Sequence, residues 1–575
     1  MSFIRTINTI YLILKALKER KIIANKILLF ISSVLELASI SFVIPIFDIL
    51  TGRDNKLLDT LSLDYTNLQI FVILMILLII FFFIKSLIIT LVNYRVYKFC
   101  FNSQERLSLK LFKTFLNQSY DFHVNRNSAD LIRTIASESR LFAFILMHYF
   151  SFFSEIFIFI LVILFLFYLY PLATFVSLII SILLVIIFYK LIKKRSINLS
   201  LKKVSNEELY LKYAQETFGN VKTIKMHLKE NYFIDRFFDK IKISSRATLL
   251  QNFYSSIPRM WIEFFAVITL VSAISVHIGF SNLPLIESLS IIALYAAASF
   301  KIIPSTTKLM FIIQFMFNSS ASIDLVFKEL KNLKSELNDK SENKSPKKNL
   351  LNFKDKIQIS NLIFKFDTRK EILFENLSFN IKKNKFVGLR GSSGTGKSTL
   401  VDILCGIRKP QSGEIKIDDI DIYSSINEWR KKVALVSQST TLLDENLKKN
   451  ITFGENEKFL DSKKLDKVIE MSNLKEFVNS LPEGIETNIG EKGLKISGGQ
   501  IQRIGIARAL YLDPEFLILD EPTSSLDEKT EQEIYKTIQN LRGQVTVLII
   551  SHKRNIDEIC DEVYILKNKS LHSDK

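Results

Sequence analysis

Residues 391–399 read Gly391-Ser392-Ser393-Gly394-Thr395-Gly396-Lys397-Ser398-Thr399. The stretch follows a short apolar run at 386–389. A polyphosphate needs backbone N–H groups within hydrogen-bonding distance, and glycine lets the chain approach that closely. We therefore predict a strand, a phosphate-binding loop and a helix, in which residues 391–399 bind ATP, Lys397 reaches its β- and γ-phosphates and the Ser398 hydroxyl ligates Mg²⁺.

Two carboxylates further along the chain suit the same chemistry. Asp520 and Glu521 follow the apolar run 516–519 and precede a Pro522-Thr523 turn. A buried strand that ends in Asp520 can deliver one carboxylate to the magnesium shell, and Glu521 is then placed to act as the general base for an attacking water. Two acids that merely open a surface loop would not explain the apolar run before them.

The first half of the chain is strongly apolar. The protein has 575 residues, 48% of them hydrophobic, and a mean hydropathy of +0.22. Because a bilayer core is about 30 Å thick, a spanning helix needs roughly 20 mostly apolar residues. The qualifying stretches are 27–50, 68–92, 150–170, 172–189, 261–279 and 288–315. We predict six spans, with the Lys- and Arg-rich connections and both chain ends in the cytosol.

The formal net charge of +18 does not indicate nucleic-acid binding. Much of the Lys and Arg lies near the ends of apolar stretches, where positive-inside orientation and anionic lipid require it. Nucleic acid is therefore not among the expected partners, whereas membrane lipid is. Cys100, Cys405 and Cys560 show no metal-ligand spacing and are expected to be small buried hydrophobic residues in a reducing compartment.

The chain divides into three parts on composition. We predict a transmembrane domain at 1–328, a polar linker at 329–350 that is centred on 331–348, and an α/β nucleotide-binding domain at 351–575. Residues 1–21 are amphipathic and basic and are expected to form an interfacial helix. Residues 55–64 are read either as a short helix on the outer surface or as a polar loop.

With these parts in this order, the whole chain resembles a half-transporter of the ATP-binding-cassette (ABC) exporters of the type IV fold. Further positions carry the resemblance: the signature Ser497, Gly498, Gly499 and Gln500, preceded by Ile496, and the residues Gln438, His552, Phe366 and Asp527. The family fold is a six-helix all-α membrane domain followed by an α/β domain with a P-loop.

The resemblance implies roles for these residues. Gln438 would contact the metal or the water, His552 would contact the γ-phosphate, and Phe366 would stack on adenine, unless it only packs in the core. The signature and Asp527 would serve ATP held by the phosphate loop of a second subunit. Since the chain carries one complete cassette, a homodimer is expected, and a heterodimer stays open.

Exporters of this family carry short coupling helices at the cytosolic ends of their long membrane helices. Residues 120–129 and 211–219 are the candidates here, and merely solvated loops are the alternative. The exporter X-loop and D-loop correspond to residues 487–493 and 524–527.

Three cations within the apolar half bear on the cargo. Lys85, Arg259 and Lys301 lie in or at the head of predicted spans, where a charge is costly unless it faces water, an acid or an anionic ligand. They invite an anionic substrate group; pairing with Glu36, Glu155 or Glu263 is the alternative.

The stretches 36–45 and 154–157, together with Pro258, Arg259 and Glu263, resemble PglK-type flippases of lipid-linked oligosaccharides. This likeness implies a polyprenyl-pyrophosphate-linked glycolipid cargo, moved by an ATP hydrolase in the cytoplasmic membrane. The alternatives are an ABC exporter of another lipid, drug or peptide and, more distantly, an ABC ATPase that transports nothing.

Overall fold

The computed structural model describes residues 3–41, 67–169, 171–280, 285–341, 351–366, 371–490, 496–523 and 526–574, with some side chains at 172–196, 255–301 and 332–341 left outside that description. The chain forms two compact units. The first comprises Met1–Gln118 and Phe122–Lys340, and the second comprises Ser119–Asp121 and Ser341–Lys575.

The described part of the first unit is helical throughout. Its helices are α1 (Phe3–Ala16), α2 (Ile22–Ser41), α3 (Asn67–Leu116), α4 (Tyr120–Asn125), α5 (Ser128–Arg133), α6 (Ser139–Leu169), α7 (Pro171–Gly219), α8 (Val221–Met226), α9 (Glu230–Phe280), α10 (Leu285–Asn318) and α11 (Ser320–Ser341), with a π-helical turn at Thr134–Glu138 between α5 and α6.

The described parts of the predicted apolar stretches fall in these long helices, and residues 42–50 of the first stretch lie outside the described part. By length and composition, three helices in the described residues are able to cross a membrane, Ile22–Ser41, Leu68–Leu116 and Ser128–Tyr168, and a fourth is added if Ile302–Asn318 and Ser320–Lys331, which meet at a 52° bend, form one span. The predicted spans 172–189 and 261–279 lie in α7 and α9, whose side chains are described only in part. The predicted all-α membrane domain is confirmed.

The long helices extend well beyond the apolar stretches, as predicted for the polar connections. Helix α3 is 50 residues long, and its polar half buries Val96, Phe99, Leu107 and Leu111 at helical spacing. These side chains share a core with Ile10 and other residues of the amphipathic helix α1.

The sequence made predictions about the coupling helices, the linker and residues 55–64, and the structure bears on each of them differently. A short helix does begin at Tyr120, but residues 211–219 are the end of α7, and the short helix there is Val221–Met226. No helix breaker precedes Gly219, so the long helix continues to that residue. The predicted linker is helical up to Ser341, because a charged, polar sequence can also form a solvated helix. Residues 55–64 lie outside the described part.

The second unit is an α/β domain. Its strands are β1 (Lys356–Lys365), β2 (Ile372–Lys382), β3 (Phe386–Arg390), β4 (Ser412–Ile417), β5 (Ile420–Asp421), β6 (Val433–Val436), β7 (Phe516–Asp520), β8 (Thr546–Ser551), β9 (Glu562–Lys567) and β10 (Ser570–Ser573). Its helices are α12 (Lys397–Leu404), α13 (Ile426–Lys432), α14 (Leu447–Thr452), α15 (Ser462–Met471), α16 (Lys475–Ser480), α17 (Gly498–Tyr511) and α18 (Glu528–Gln539), with 3₁₀ turns at Ile422–Ser425, Glu457–Phe459, Gly484–Glu486 and Arg554–Glu558.

Two sheets organise this domain. A six-stranded sheet in the order β10-β9-β3-β8-β7-β6 is parallel except for the edge strand β10, and an antiparallel sheet has the order β2-β1-β4-β5. Strands β3, β7 and β8 are almost completely buried, which is typical of parallel strands covered on both faces. Their carboxyl ends therefore meet at one edge, where ligands bind in such sheets.

The cysteines behave as predicted. All three are free and buried, Cys405 and Cys560 in the two cores of the α/β domain. Burial raises the pKa of the Cys405 thiol to about 12, so this thiol stays protonated and unreactive at neutral pH.

Candidate nucleotide-binding site

The loop after β3 has the backbone that its glycines predict. Gly394 and Gly396 adopt φ angles of +83° and +103°, in the left-handed region that side chains disfavour. A Cβ at Gly396 would lie 2.9 Å from the Phe374 ring, and one at Gly391 would lie 2.9 Å from the Leu566 carbonyl oxygen. The chain turns tightly here and passes directly into α12, so backbone N–H groups at the start of that helix face the loop.

Lys397 lies inside the curve of this loop. Its side chain is buried, and its ammonium group donates hydrogen bonds to the carbonyl oxygens of Gly391, at 2.8 Å, and Ser392, at 3.1 Å. The Thr395 hydroxyl donates to the same Ser392 carbonyl at 2.9 Å, while Ser393 is exposed on the loop. A positive charge enclosed by a loop of this shape fits a polyphosphate.

Asp520 ends β7 beside the start of α12. Burial raises the pKa of the Asp520 carboxyl above its usual value, and the hydrogen bond from Ser398 and the nearby Lys397 charge act in the opposite direction. The hydroxyl and the carboxylate thus lie within hydrogen-bonding distance of each other. Two hard oxygen donors at the edge of a phosphate loop suit Mg²⁺, which binds through few protein ligands together with phosphate oxygens.

Two further residues that the sequence singled out, Gln438 and His552, lie next to the Glu521 carboxylate. The Gln438 side-chain amide donates to the Glu521 carboxylate at 2.9 Å, and the His552 Nδ1 atom lies 3.6 Å from its other oxygen. These residues follow three adjacent strands, β6, β7 and β8. Glu521 has a φ of +48°, unusual for a residue with a side chain, and its N–H donates to the Ile550 carbonyl at 2.9 Å.

Gln502 is a residue that the sequence reading did not single out. Its side-chain amide donates to the Gln438 carbonyl at 2.9 Å, and its own amide oxygen accepts from the Thr440 hydroxyl at 3.3 Å. Gln502 is buried in α17 among apolar residues. The signal available in the sequence was a polar residue on the buried face of that helix.

The signature residues form the amino end of α17. Ser497 caps the helix in a reciprocal arrangement with Gln500: the Gln500 N–H donates to the Ser497 hydroxyl at 3.3 Å, and the Ser497 N–H donates to the Gln500 amide oxygen at 2.9 Å. Gly499 is tightly packed, since a Cβ there would lie 2.4 Å from Thr530. Among the described residues, no hydrogen bond joins Ser497, Gly498, Gly499 or Gln500 to residues 391–399.

Asp527 and Phe366 have local partners. Asp527 caps α18 and accepts from both the N–H and the hydroxyl of Thr530, which lowers the pKa of the Asp527 carboxyl. Phe366 is half-buried, with its ring edge-on to Phe364 at 5.1 Å and the Arg408 guanidinium 5.3 Å away. Ser524, Ser525 and residues 491–495 lie outside the described part, so the D-loop and X-loop are described only in part.

The membrane cations differ from one another. Lys85 is buried, forms an ion pair with Glu36 at 3.2 Å and lies 4.3 Å from the centre of the Phe82 ring. Glu155 pairs instead with Lys308, at 3.0 Å, a partner the sequence reading did not name. The side chains of Arg259, Glu263 and Lys301 lie outside the described part; Arg259 is a residue of α9 and Lys301 of α10.

Comparison with known families accounts for both units. The ABC transporter transmembrane region matches residues 22–303, and the ABC transporter ATPase family matches residues 374–524. The chain belongs to the ABC transporters and joins a transmembrane region and an ATPase domain in one polypeptide.

Relatives and a solved structure agree with this assignment. An ATP-dependent lipid A-core flippase of Coxiella burnetii is 39% identical over 216 residues, 37% of this chain and 36% of that protein. The flippase of that name from Saccharophagus degradans is 31% identical over 363 residues, 62% of this chain and 58% of its own length. The matched segments thus span between a third and three fifths of these relatives.

The structure of a bacterial Atm1-family ABC exporter with ATP bound superposes with a TM-score of 0.77 and 20% identity, over 96% of this chain and 95% of that one. At this identity the similarity concerns the fold, which is that of an ABC exporter.

Proposed function

We propose that this chain is one half of an ATP-driven exporter that flips a polyprenyl-pyrophosphate-linked oligosaccharide across the cytoplasmic membrane. Its ATPase domain would face the cytosol, and a second copy of the chain would complete the transporter. We keep the domain boundaries 1–328, 329–350 and 351–575 as part of this proposal. One observation above all supports the proposal of ATP hydrolysis. The Gln438 and His552 side chains both lie next to the Glu521 carboxylate, beside the loop that contains Lys397.

The residues present fit MgATP. Residues 391–399 would hold the phosphates, with the Lys397 ammonium exchanging its loop carbonyls for phosphate oxygens; Ser398, Asp520 and Gln438 would hold the metal. Mg²⁺, when bound, neutralises charge on the β- and γ-phosphate oxygens. Glu521 would accept a proton from the attacking water, and Gln438 and His552 would orient that carboxylate. Phe366 would stack on the adenine.

The dimer follows from the position of the signature. Ser497, Gly498, Gly499 and Gln500 begin a 14-residue helix whose positive end suits a phosphate, and no described hydrogen bond joins them to the loop of the same chain. We infer that they, with Asp527, serve the nucleotide of the partner copy. Each of the two sites is then built from both chains.

The anionic cargo is supported by cations in the membrane unit. Arg259 and Lys301 lie on helices that contain predicted spans, and Lys85 lies buried in α3. A pyrophosphate that leaves water needs compensating positive charge, while a polyprenyl tail can stay in the bilayer. Because Lys85 is already neutralised by Glu36, we assign the larger share of the attraction to Arg259 and Lys301.

A reconstituted flipping assay tests this proposal. Proteoliposomes that contain the full-length protein receive a fluorescent lipid-linked oligosaccharide, and its ATP-dependent movement is followed together with phosphate release. We expect Arg259→Ala and Lys301→Ala to reduce flipping far more than basal ATP hydrolysis, and Lys85→Ala to have a smaller effect. Unchanged flipping in all three variants would contradict the anionic-headgroup assignment.

A second candidate is the flipping of another lipid, because relatives of this chain are named lipid A-core flippases. Lipid A also carries phosphate groups, so the same cations would serve it. The same proteoliposomes loaded with lipid A separate the two: ATPase stimulation and flipping by lipid A alone would favour this candidate. Hydrolysis without movement of either lipid would favour an exporter of a drug or peptide or, more distantly, an ATPase that transports nothing.

A further inference from the structure

A polar cavity of about 310 Å³ lies in the membrane unit, where the end of α1 and the start of α2 meet α3. Six cations line it: Lys18, Arg20, Lys21, Arg95, Lys98 and Arg106. Neither the nucleotide site nor the proposed cargo site includes any of these residues. The cavity therefore needs its own explanation.

The positive charge of this cavity is largely uncompensated. Glu19 is the one carboxylate in its lining. That side chain is 6% exposed and is already engaged, since Arg106 donates to it at 3.0 Å and Ser103 at 3.3 Å. In the described part of the chain, the other five cations have no carboxylate within ion-pair distance. An anion in the cavity would balance them.

A buried donor in the cavity also lacks an acceptor. Asn25, in the first turn of α2, is 1% exposed, and its side-chain amide nitrogen has no hydrogen-bond partner among the described residues. A buried N–H group without an acceptor is costly, and native structures contain few of them. An oxygen-rich ligand in the cavity would accept this hydrogen bond.

The cavity lies at the ends of membrane helices, at the level where lipid headgroups are found. Arg95 and Lys98 follow directly after the predicted span 68–92, and Lys21 directly precedes the membrane helix α2. On the membrane side of Arg95, one and two turns away on the same face of α3, Leu91 and Leu87 are 60% and 51% exposed. Cationic pockets at the cytosolic ends of membrane helices bind anionic headgroups, and exposed apolar side chains beside them suit acyl chains.

We propose that this cavity binds the phosphate headgroup of an anionic phospholipid of the cytosolic leaflet. Arg95, Lys98 and Lys21 supply charge to the phosphate oxygens, and the Asn25 amide donates to one of them. The acyl chains lie along Leu87 and Leu91. This site is separate from the flipped cargo and does not depend on the proposed function.

The test uses the full-length protein in detergent, without nucleotide, and native mass spectrometry with added phosphatidylglycerol or phosphatidylcholine. We expect the unmodified protein to prefer phosphatidylglycerol, and Arg95→Gln/Lys98→Gln to weaken its binding about tenfold or more. Asn25→Leu keeps the branching and the number of side-chain heavy atoms and replaces the polar amide by methyl groups, so it should weaken binding without loss of folded protein.

The matched control is Lys463→Gln/Lys467→Gln, which removes two exposed cations from helix α15 of the ATPase domain. It should bind phosphatidylglycerol like the unmodified protein. Equal binding by the control, the Arg95→Gln/Lys98→Gln variant and Asn25→Leu would overturn the proposal. Displacement of the lipid by an equal concentration of inorganic phosphate or glycerol phosphate would also overturn it, because the site would then belong to a soluble phosphate.

Discussion

At the scale of single residues, Glu521 is the position on which the proposed hydrolysis depends. We expect Glu521→Gln to lower ATP turnover by about 100-fold or more and to leave ATP binding in place, because the amide cannot accept a proton whereas the phosphate loop is untouched. Radiolabelled ATP binding and phosphate release on the purified protein measure the two effects separately.

Lys397→Ala is the contrasting variant. It removes the ammonium group inside the loop, so binding itself should be impaired. Substantial phosphate release by Glu521→Gln, or unchanged nucleotide affinity of Lys397→Ala, would contradict the assigned roles.

The buried pair of Lys85 and Glu36 gives a second prediction at this scale. Glu36→Gln leaves the Lys85 charge buried without its partner, which typically costs about 3–5 kcal/mol, whereas Lys85→Met/Glu36→Gln leaves no buried charge. We therefore expect the single variant to unfold at a lower temperature than the double variant. Thermal unfolding in detergent, arranged as a double-mutant cycle, measures the coupling.

Lys225→Gln in the exposed Lys225–Glu230 pair is the comparison for that cycle. The two side chains are 68% and 33% exposed, so removal of this cation leaves no buried charge and should cost much less. If Glu36→Gln were no more destabilising than Lys225→Gln, the Lys85–Glu36 pair would not be structural and Lys85 would be available to a substrate.

At the scale of elements, one carboxylate accepts hydrogen bonds from the backbone at the start of strand β1 in the antiparallel sheet. Asp418, between β4 and β5, accepts hydrogen bonds from the N–H groups of Lys354, Asp355 and Lys356, each at 2.9 Å. Burial opposes its charge, but these donors outweigh burial and lower the pKa of Asp418 from its usual 3.8.

We expect Asp418→Asn to lower the unfolding midpoint of the ATPase domain by about 2 °C at pH 7, because the amide keeps one acceptor oxygen but loses the charge and the hydrogen bond from Lys354. Asn tolerates the left-handed backbone at this position, where φ is +52°, so the change adds no backbone strain. A group with a lowered pKa stabilises the fold above its unfolded pKa and loses that effect as the pH falls through the folded value. The difference between the proteins should therefore vanish only below about pH 4.

Trp429 makes the measurement specific to this domain. The chain has two tryptophans, and Trp261 belongs to the membrane unit. In a Trp261→Phe background, the fluorescence of the fully buried Trp429 reports unfolding of the ATPase domain alone. An equal midpoint for Asp418→Asn and its parent at pH 7 would show that the charge of Asp418 and its hydrogen bond from Lys354 contribute nothing measurable.

The elements also show what the sequence predicts and what it leaves open. Residues 391–399 and the apolar run before Asp520 predicted their strands, loop and helix, because glycine and buried strands leave local patterns. Gln502 was missed since its partner, the Gln438 carbonyl, is brought near only by the fold. Residues 211–219 were predicted as a separate coupling helix but continue α7 to Gly219, because polar composition does not show where a solvated helix ends.

At the scale of the whole molecule, the proposed two-chain site makes a prediction about mixed dimers. A Ser497→Arg chain would block the signature that we propose serves its partner, and a Lys397→Ala chain lacks the lysine of its own phosphate loop. Co-expressed, they should leave one composite site with both parts intact. We expect purified mixed dimers to bind one MgATP at near-normal affinity, and each variant homodimer to bind poorly.

Two differently tagged chains and tandem purification give the mixed dimers for calorimetry. Phosphate release is the secondary measurement, because coupling between sites can silence a single intact one. High-affinity binding by an isolated single chain would contradict the composite site.

The left-handed backbone of Glu521 has a consequence for laboratory evolution of this protein. A side chain held at φ +48° costs roughly 1–2 kcal/mol, and Gly or Asn at that position would be relieved of most of it. A library selected for thermal resistance alone would thus enrich Glu521→Gly or Glu521→Asn and discard the proposed general base. At position 521, natural selection for ATP turnover and laboratory selection for thermal stability therefore act in opposite directions. Any screen for a more stable transporter has to measure ATP turnover as well.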